Sequence, residues 1–163
     1  MAVKTIPDGH NRVSPYLIVN GAARALEFYK NAFGAVEIFR HEAPGGKIGH
    51  AEVRIGDTVI MVADEFPDHD AHAPGKFGGS PVSLHLYCED VDAVAVRATA
   101  AGAKVKRPVA DQFYGDRLGT LEDPFGHTWH ISTHIEDVSP DELDRRARKA
   151  MAEHQAAAQQ KKA

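Results

Sequence analysis

The sequence predicts an α+β fold: two tandem βαβββ modules followed by a C-terminal helix. Three observations predict it. The order strand, helix, strand, strand, strand is read twice along the chain. The two module helices stop on matching pairs, Gly34-Ala35 and Gly102-Ala103. The strands of both halves set aliphatic residues on one face against polar residues on the other, the pattern of a sheet covered on one side only. Two such modules bury a shared core that one module of about fifty residues would struggle to supply.

Residues 1–12 form an irregular lead-in. Residues 13–20 (VSPYLIVN) are rich in strand formers, and Asn20-Gly21 ends them. Residues 22–33 (AARALEFYKNAF) are helical, with Ala22, Leu26, Tyr29 and Phe33 at core spacing and Gly34 as the stop. Residues 35–42 alternate as a strand and end at Pro44-Gly45-Gly46. Residues 48–55 (IGHAEVRI) and 58–63 (TVIMVA) flank Gly56-Asp57, a two-residue hairpin signal. Module one therefore spans about residues 13–64.

Residues 65–80 (EFPDHDAHAPGKFGGS) read as a polar linker or a mobile lid. Module two, about residues 81–135, repeats the order: a strand over 82–88, a helix over 90–101 with Asp90 as N-cap, and a strand over 104–109. Its last two strands, 116–121 and 128–134, flank a turn at 123–126 (DPFG), where Pro sets φ and Gly supplies the reversal. The final strand carries His130 and His134 on one face and Trp129 and Ile131 on the other. Ser139-Pro140-Asp141-Glu142 opens the tail, residues 139–163, with a capping box and a Pro at the first helical position. The tail helix is expected to run through ELDRRARKAMAEHQ and to fade over AAAQQKKA as a solvated end; packing across a dimer is the alternative.

The composition is that of a soluble globular protein, 43% hydrophobic and 26% charged. A formal net charge of −4 gives no electrostatic reason to expect nucleic acid or an anionic membrane as partner. No run has membrane-spanning length, the N-terminus lacks a signal-peptide core, and the lone Cys88 forms no intrachain disulfide, so a cytoplasmic protein is expected.

The polar faces hold the candidate chemistry: Ser14, Tyr16, His50, Glu52 and Arg54 in module one, and Ser83, His85, Tyr87, His130, Ser132 and His134 in module two. So many His and Tyr on an uncovered face favour a pocket over plain solvation. Tyr16, Tyr87, Tyr114 and Arg117 are the candidate ligand-binding residues. Arg117 either clamps a ligand carboxylate or forms a cross-strand pair with Asp116 or Glu122. Trp129 reads as core, Cys88 as a buried inert thiol, and His127 as an exposed turn residue. No nucleophile elbow, phosphate-binding Gly loop or CxxC is present.

The duplicated module, the ALEFYKNAFGA helix end, the GHAEVRIGDTVIMVAD hairpin and the DRLGTLEDPFGHTWHI close resemble the vicinal oxygen chelate superfamily, in particular PhnB-like glyoxalase/bleomycin-resistance proteins. The resemblance spans roughly residues 13–137. It implies a curled mixed sheet around a cleft, the glyoxalase/bleomycin-resistance fold, often completed by a second subunit, here a homodimer. It further implies one divalent metal ion held by first and last strands of each module. Position by position, those slots fall on Ser14, on His50 with Glu52 beside it, on Ser83 (or His85 with a two-residue shift), and on His130. His50, His85 and His130 are thus the candidate ligands for zinc, nickel, iron or manganese, with Glu52 as the catalytic acid–base. Two serines in ligand slots depart from the pattern, since Ser is not a customary ligand for such ions.

Three functions are expected to compete. The first is a small-molecule binding protein that takes an organic ligand in a sheet-lined cleft. The second is a metal-dependent lyase, isomerase or dioxygenase of the glyoxalase type. The third is a non-catalytic assembly or regulatory module, supported by the charged tail alone.

Overall fold

The computed structural model describes residues 3–160. The expected order is present: β1 (Tyr16–Val19), α1 (Ala22–Phe33), β2 (Val36–Ala43), β3 (Lys47–Ile55) and β4 (Thr58–Asp64), then β5 (Ser83–Tyr87), α2 (Val91–Ala100), β6 (Lys104–Asp111), β7 (Asp116–Glu122) and β8 (Thr128–His134), and finally α3 (Pro140–Gln160). The eight strands divide into two four-stranded mixed sheets, ordered β1-β4-β3-β2 and β5-β8-β7-β6. Each module pairs its first strand parallel to its last and closes with antiparallel hairpins.

Local chemistry sets most boundaries. β1 begins at Tyr16 rather than at residue 13 because Pro15 has no N–H to give; its carbonyl instead accepts from Met61 N–H at 2.9 Å. β6 runs past Pro108 to Asp111, which is tolerable because β6 is an edge strand broken by register shifts. α1 ends at Gly34, whose φ of 68° is the left-handed region a helix stop requires. Its start lacks a side-chain cap of its own; Asp64, at the end of β4, accepts from the Gly21 and Ala22 N–H groups at 2.8 and 2.9 Å and from Ile48 N–H at 2.8 Å. Asp90 caps α2 as expected, accepting from Ala93 N–H.

One apolar core joins both modules. Leu17 and Val19 of β1, Leu26, Tyr29 and Phe33 of α1, Val91 and Val94 of α2, and Leu121, Trp129 and Ile131 of module two are all buried in it. Phe33 and Trp129 lie ring to ring at 4.6 Å. The DPFG turn ties the modules together. Asp123, 3% exposed, accepts from Phe125 and His127 N–H within the turn, from the Trp129 indole, and from the Tyr29 hydroxyl of the other module, all at 2.9–3.0 Å.

Two sequence expectations need correcting here. The tail stays helical through Gln160 rather than fading after residue 155, consistent with the helix propensity of Ala and Gln; the last part of that expectation, residues 161–163, lies outside the described residues. His127 is buried, not exposed, because its turn folds against module one, with Nε2 3.2 Å from the Ile18 carbonyl. The 65–80 segment is not structureless: it holds two short 3-10 turns, Pro67–His69 and Pro74–Phe77, and a bridge between Phe66 and Ala71.

Candidate functional site

β1 and β5 each pair on one side only, with β4 and β8 respectively, so both sheets present a free edge. The two free edges line one cavity of about 840 Å³. Leu17, Leu84, Leu86 and Trp129 give it an apolar lining, and Tyr16, His85 and Tyr87 stand on it from the polar faces of the sheets. Asp57 is its single carboxylate, and no Lys or Arg lines it. A cleft so built favours an apolar body with a few hydrogen-bonding groups, and disfavours anions.

The polar face of module one is a connected set. Tyr16 Oη lies 3.0 Å from His50 Nδ1, and His50 Nε2 lies 3.4 Å from Glu52 Oε1. Glu52 Oε2 lies 3.2 Å from His10 Nε2. His10 sits in the irregular lead-in, where no pattern in the sequence marked it. Burial pushes the Tyr16 phenol up from its ordinary value.

Module two has its own network. Asp116, 4% exposed, accepts from the Tyr87 hydroxyl at 2.9 Å and lies 2.8 Å from His134 Nδ1. Those hydrogen bonds hold the imidazole of His134 above its usual range, the Asp116 bond first and the Asp137 bond second. His85 stacks on Tyr87 with ring centroids 4.7 Å apart, and its Nε2 lies 2.7 Å from the Oγ of fully buried Ser132. Burial, then the neighbouring His130, pushes the His85 imidazole down against the opposing pull of Asp116. The Asp116 bond is also the first cause of the raised Tyr87 phenol.

The candidate metal ligands do not assemble within the chain. His85 and His130 are neighbours, with ring centroids 6.0 Å apart, but His130 Nδ1 is engaged by Thr120 Oγ1 at 3.0 Å. His50 belongs to the other sheet and is not the counterpart of His130. In the parallel ladders Tyr16 pairs with Met61 and His85 with His130, so Met61 occupies the equivalent position. Ser14, in the first-strand slot, has a buried Oγ without a hydrogen-bond partner. Among the described residues no three His, Cys, Asp or Glu side chains group as a metal site. Zinc-like ions need at least three strong donors, so the residues of one chain do not fit the ion that the family pattern implies.

Two further candidates stand apart from the cleft. Arg117 alternates to the face opposite Asp116 and is engaged by Asp92 of α2 at 2.7 and 2.9 Å and by Asp111 of β6 at 2.8 Å. Strand parity therefore turns it away from the ligand it was expected to clamp, and its partners are neither Asp116 nor Glu122. Tyr114 lies on the loop before β7, near Asp116, and does not line the cavity.

The Glyoxalase/Bleomycin resistance protein/Dioxygenase superfamily model matches residues 10–131. An uncharacterized protein of Mycobacterium bovis is 42% identical over 134 residues, covering 80% of this chain and 88% of its own length. Among solved structures, TioX from Micromonospora sp. ML1 is 25% identical at a TM-score of 0.60, over 79% of this chain and 100% of that one. The PhnB protein from Bacillus cereus, 19% identical, shares the fold at a TM-score of 0.60 over 76% of this chain and 99% of its own. From the match over residues 10–131 and the duplicated βαβββ architecture, this chain belongs to the glyoxalase/bleomycin resistance protein/dioxygenase superfamily.

Proposed function

We propose that the protein binds a small organic molecule in the cleft between β1 and β5. The observation that carries this reading is the cavity itself: about 840 Å³ between two unpaired strand edges, with apolar walls, phenol and imidazole groups at the rim, and no cation. That volume is within the usual range of ligand sites, roughly 300–1,000 Å³. The preferred ligand is an aromatic, neutral or cationic molecule, because Asp57 opposes a negative charge. Tyr16 and Tyr87 are its hydrogen-bonding partners in this reading. A homodimer is part of the proposal, since β2 leaves Val36, Ile38 and Phe39 about half exposed.

Trp129 is the only tryptophan of the chain and borders the cavity, so its emission is a built-in reporter. Titration with matched neutral, cationic and anionic aromatic compounds should change Trp129 fluorescence and raise Tm for the first two, and far less for the anion. No response from any of them would remove the proposal.

The metal-dependent reading keeps one supporting observation, the His85–His130 pair. Metal analysis of protein purified without chelator decides it. A stoichiometric divalent ion lost on His130→Ala would establish a donor set that one chain does not assemble.

A further inference from the structure

Module one holds a chain of titratable groups that an apolar cleft does not require. It runs from His10 in the lead-in to Glu52, on to His50, and ends at Tyr16 on the cleft wall. The His10, Glu52 and His50 side chains are only 18, 17 and 29% exposed, so the middle of the chain is shielded from bulk water. The order carboxylate, imidazole, hydroxyl is the arrangement by which a carboxylate fixes a histidine tautomer and readies it to take a hydroxyl proton. With Nε2–H directed at Glu52, His50 Nδ1 is left to accept from Tyr16 Oη–H. The remaining lone pairs of the Tyr16 oxygen are then acceptors for a ligand.

We propose that Tyr16, His50 and Glu52 form a proton relay that accepts the O–H proton of an aromatic phenol or enol bound in the cleft. The proposal rests on the ligand-binding reading above. The ligand O–H bond breaks as a Tyr16 Oη–H bond forms. The original Tyr16 proton passes to His50 Nδ1, and the imidazolium is held by the Glu52 carboxylate. The ligand is left as an oxyanion hydrogen-bonded to the Tyr16 hydroxyl. Nothing else on the cleft wall offers that service, because no Lys or Arg lines it. The acting base is His50; Tyr16 is the group that touches the ligand, and Glu52 is a positioning residue. The other titratable or charged groups near the relay are His41, opposite His50 on β2, Arg54 two residues beyond Glu52 on β3, and Asp57 and His85 on the cleft wall. They are the same in wild type and variants, so comparing the two isolates the relay.

The probe is 4-nitrophenol, whose visible absorption reports whether its oxygen is protonated. Its ionisation is measured in the bound state across pH for the full-length wild type, Tyr16→Phe, His50→Gln and Glu52→Gln. Binding of the neutral form, read from Trp129 emission, should change little in all three variants. The ionisation midpoint of the bound probe should lie about one pH unit or more lower in the wild type than in Tyr16→Phe and His50→Gln, a tenfold difference in ionisation constant. Glu52→Gln should fall between. If the wild type binds the probe and its midpoint equals that of His50→Gln, the relay is wrong and the cleft reading stands. If the wild type does not bind it, the cleft reading fails and the relay falls with it. An independent check needs no variant: long-range ¹⁵N–¹H spectra of the wild type should show His50 as the Nε2–H tautomer at neutral pH, and an Nδ1–H tautomer would overturn the proposal.

Discussion

Replacing Asp123 with alanine should cost this protein a large part of its stability. Its carboxylate accepts four hydrogen bonds, two from turn amides and one each from the Tyr29 hydroxyl and the Trp129 indole. Tyr29 and Trp129 are 0 and 2% exposed, and His127, whose amide is the third buried donor, is 7% exposed. A buried donor left without a partner costs about 1–3 kcal/mol, and partial relaxation of the turn recovers some of the sum. The expected loss for Asp123→Ala is about 3–5 kcal/mol, against a typical total stability of about 5–15 kcal/mol. Asp123→Asn should cost less, about 1–3 kcal/mol: its oxygen still serves the two amides, and Tyr29 can rotate to accept from the new NH₂, but the Trp129 indole faces a donor. Tyr29→Phe removes one donor and leaves three satisfied, for about 1 kcal/mol. Urea unfolding followed by Trp129 emission measures all three, with an unchanged m-value as the control for the denatured state. A loss below about 1 kcal/mol for Asp123→Ala, or an asparagine variant weaker than the alanine variant, would refute the assignment of Asp123 as the tie between the modules.

The remaining predictions concern smaller effects. Asp64→Ala removes the remote cap of α1 together with the Ile48 bond and should cost about 2–4 kcal/mol in the same urea assay, more than the roughly 1 kcal/mol of an ordinary cap. Arg117→Ala should change stability by less than about 1 kcal/mol, since its partners are exposed, and should leave ligand affinity unchanged; a large affinity loss in calorimetry would return Arg117 to the site. The two perturbed histidines act in opposite directions with pH. His134 is raised, so its stabilisation is complete below 6.5 and is lost as pH rises through its folded-state pKa. His85 is lowered, so its contribution is present above 6.5 and is lost as pH falls through its folded-state pKa. NMR titration of the imidazole protons should place their midpoints on either side of 6.5, and the reverse order would contradict the two networks.

The sequence by itself determined the element order, both module helices, the 56–57 hairpin, the DPFG turn, and the division of the strands into an aliphatic and a polar face. These rest on local rules: the two-residue period of a strand, the stop that a glycine such as Gly34 provides at positive φ, and the fixed φ of proline. Placing Tyr16, His50 and Glu52 on one face followed from that period. The tertiary structure alone decided which faces meet. Strand pairing made Met61, not His50, the counterpart of His130, and ladder register is set by long-range hydrogen bonds that a single strand's pattern does not encode. His10 joined Glu52 from a lead-in without periodicity, and Arg117 was drawn to Asp92 and Asp111, carboxylates on α2 and β6. The burial of His127 and the convergence of Tyr29 on Asp123 depend on how one module packs against the other. Local rules fix where a side chain points from its own strand. What it finds there is fixed by residues distant in the chain, and the cleft between β1 and β5 exists only once both modules share one core.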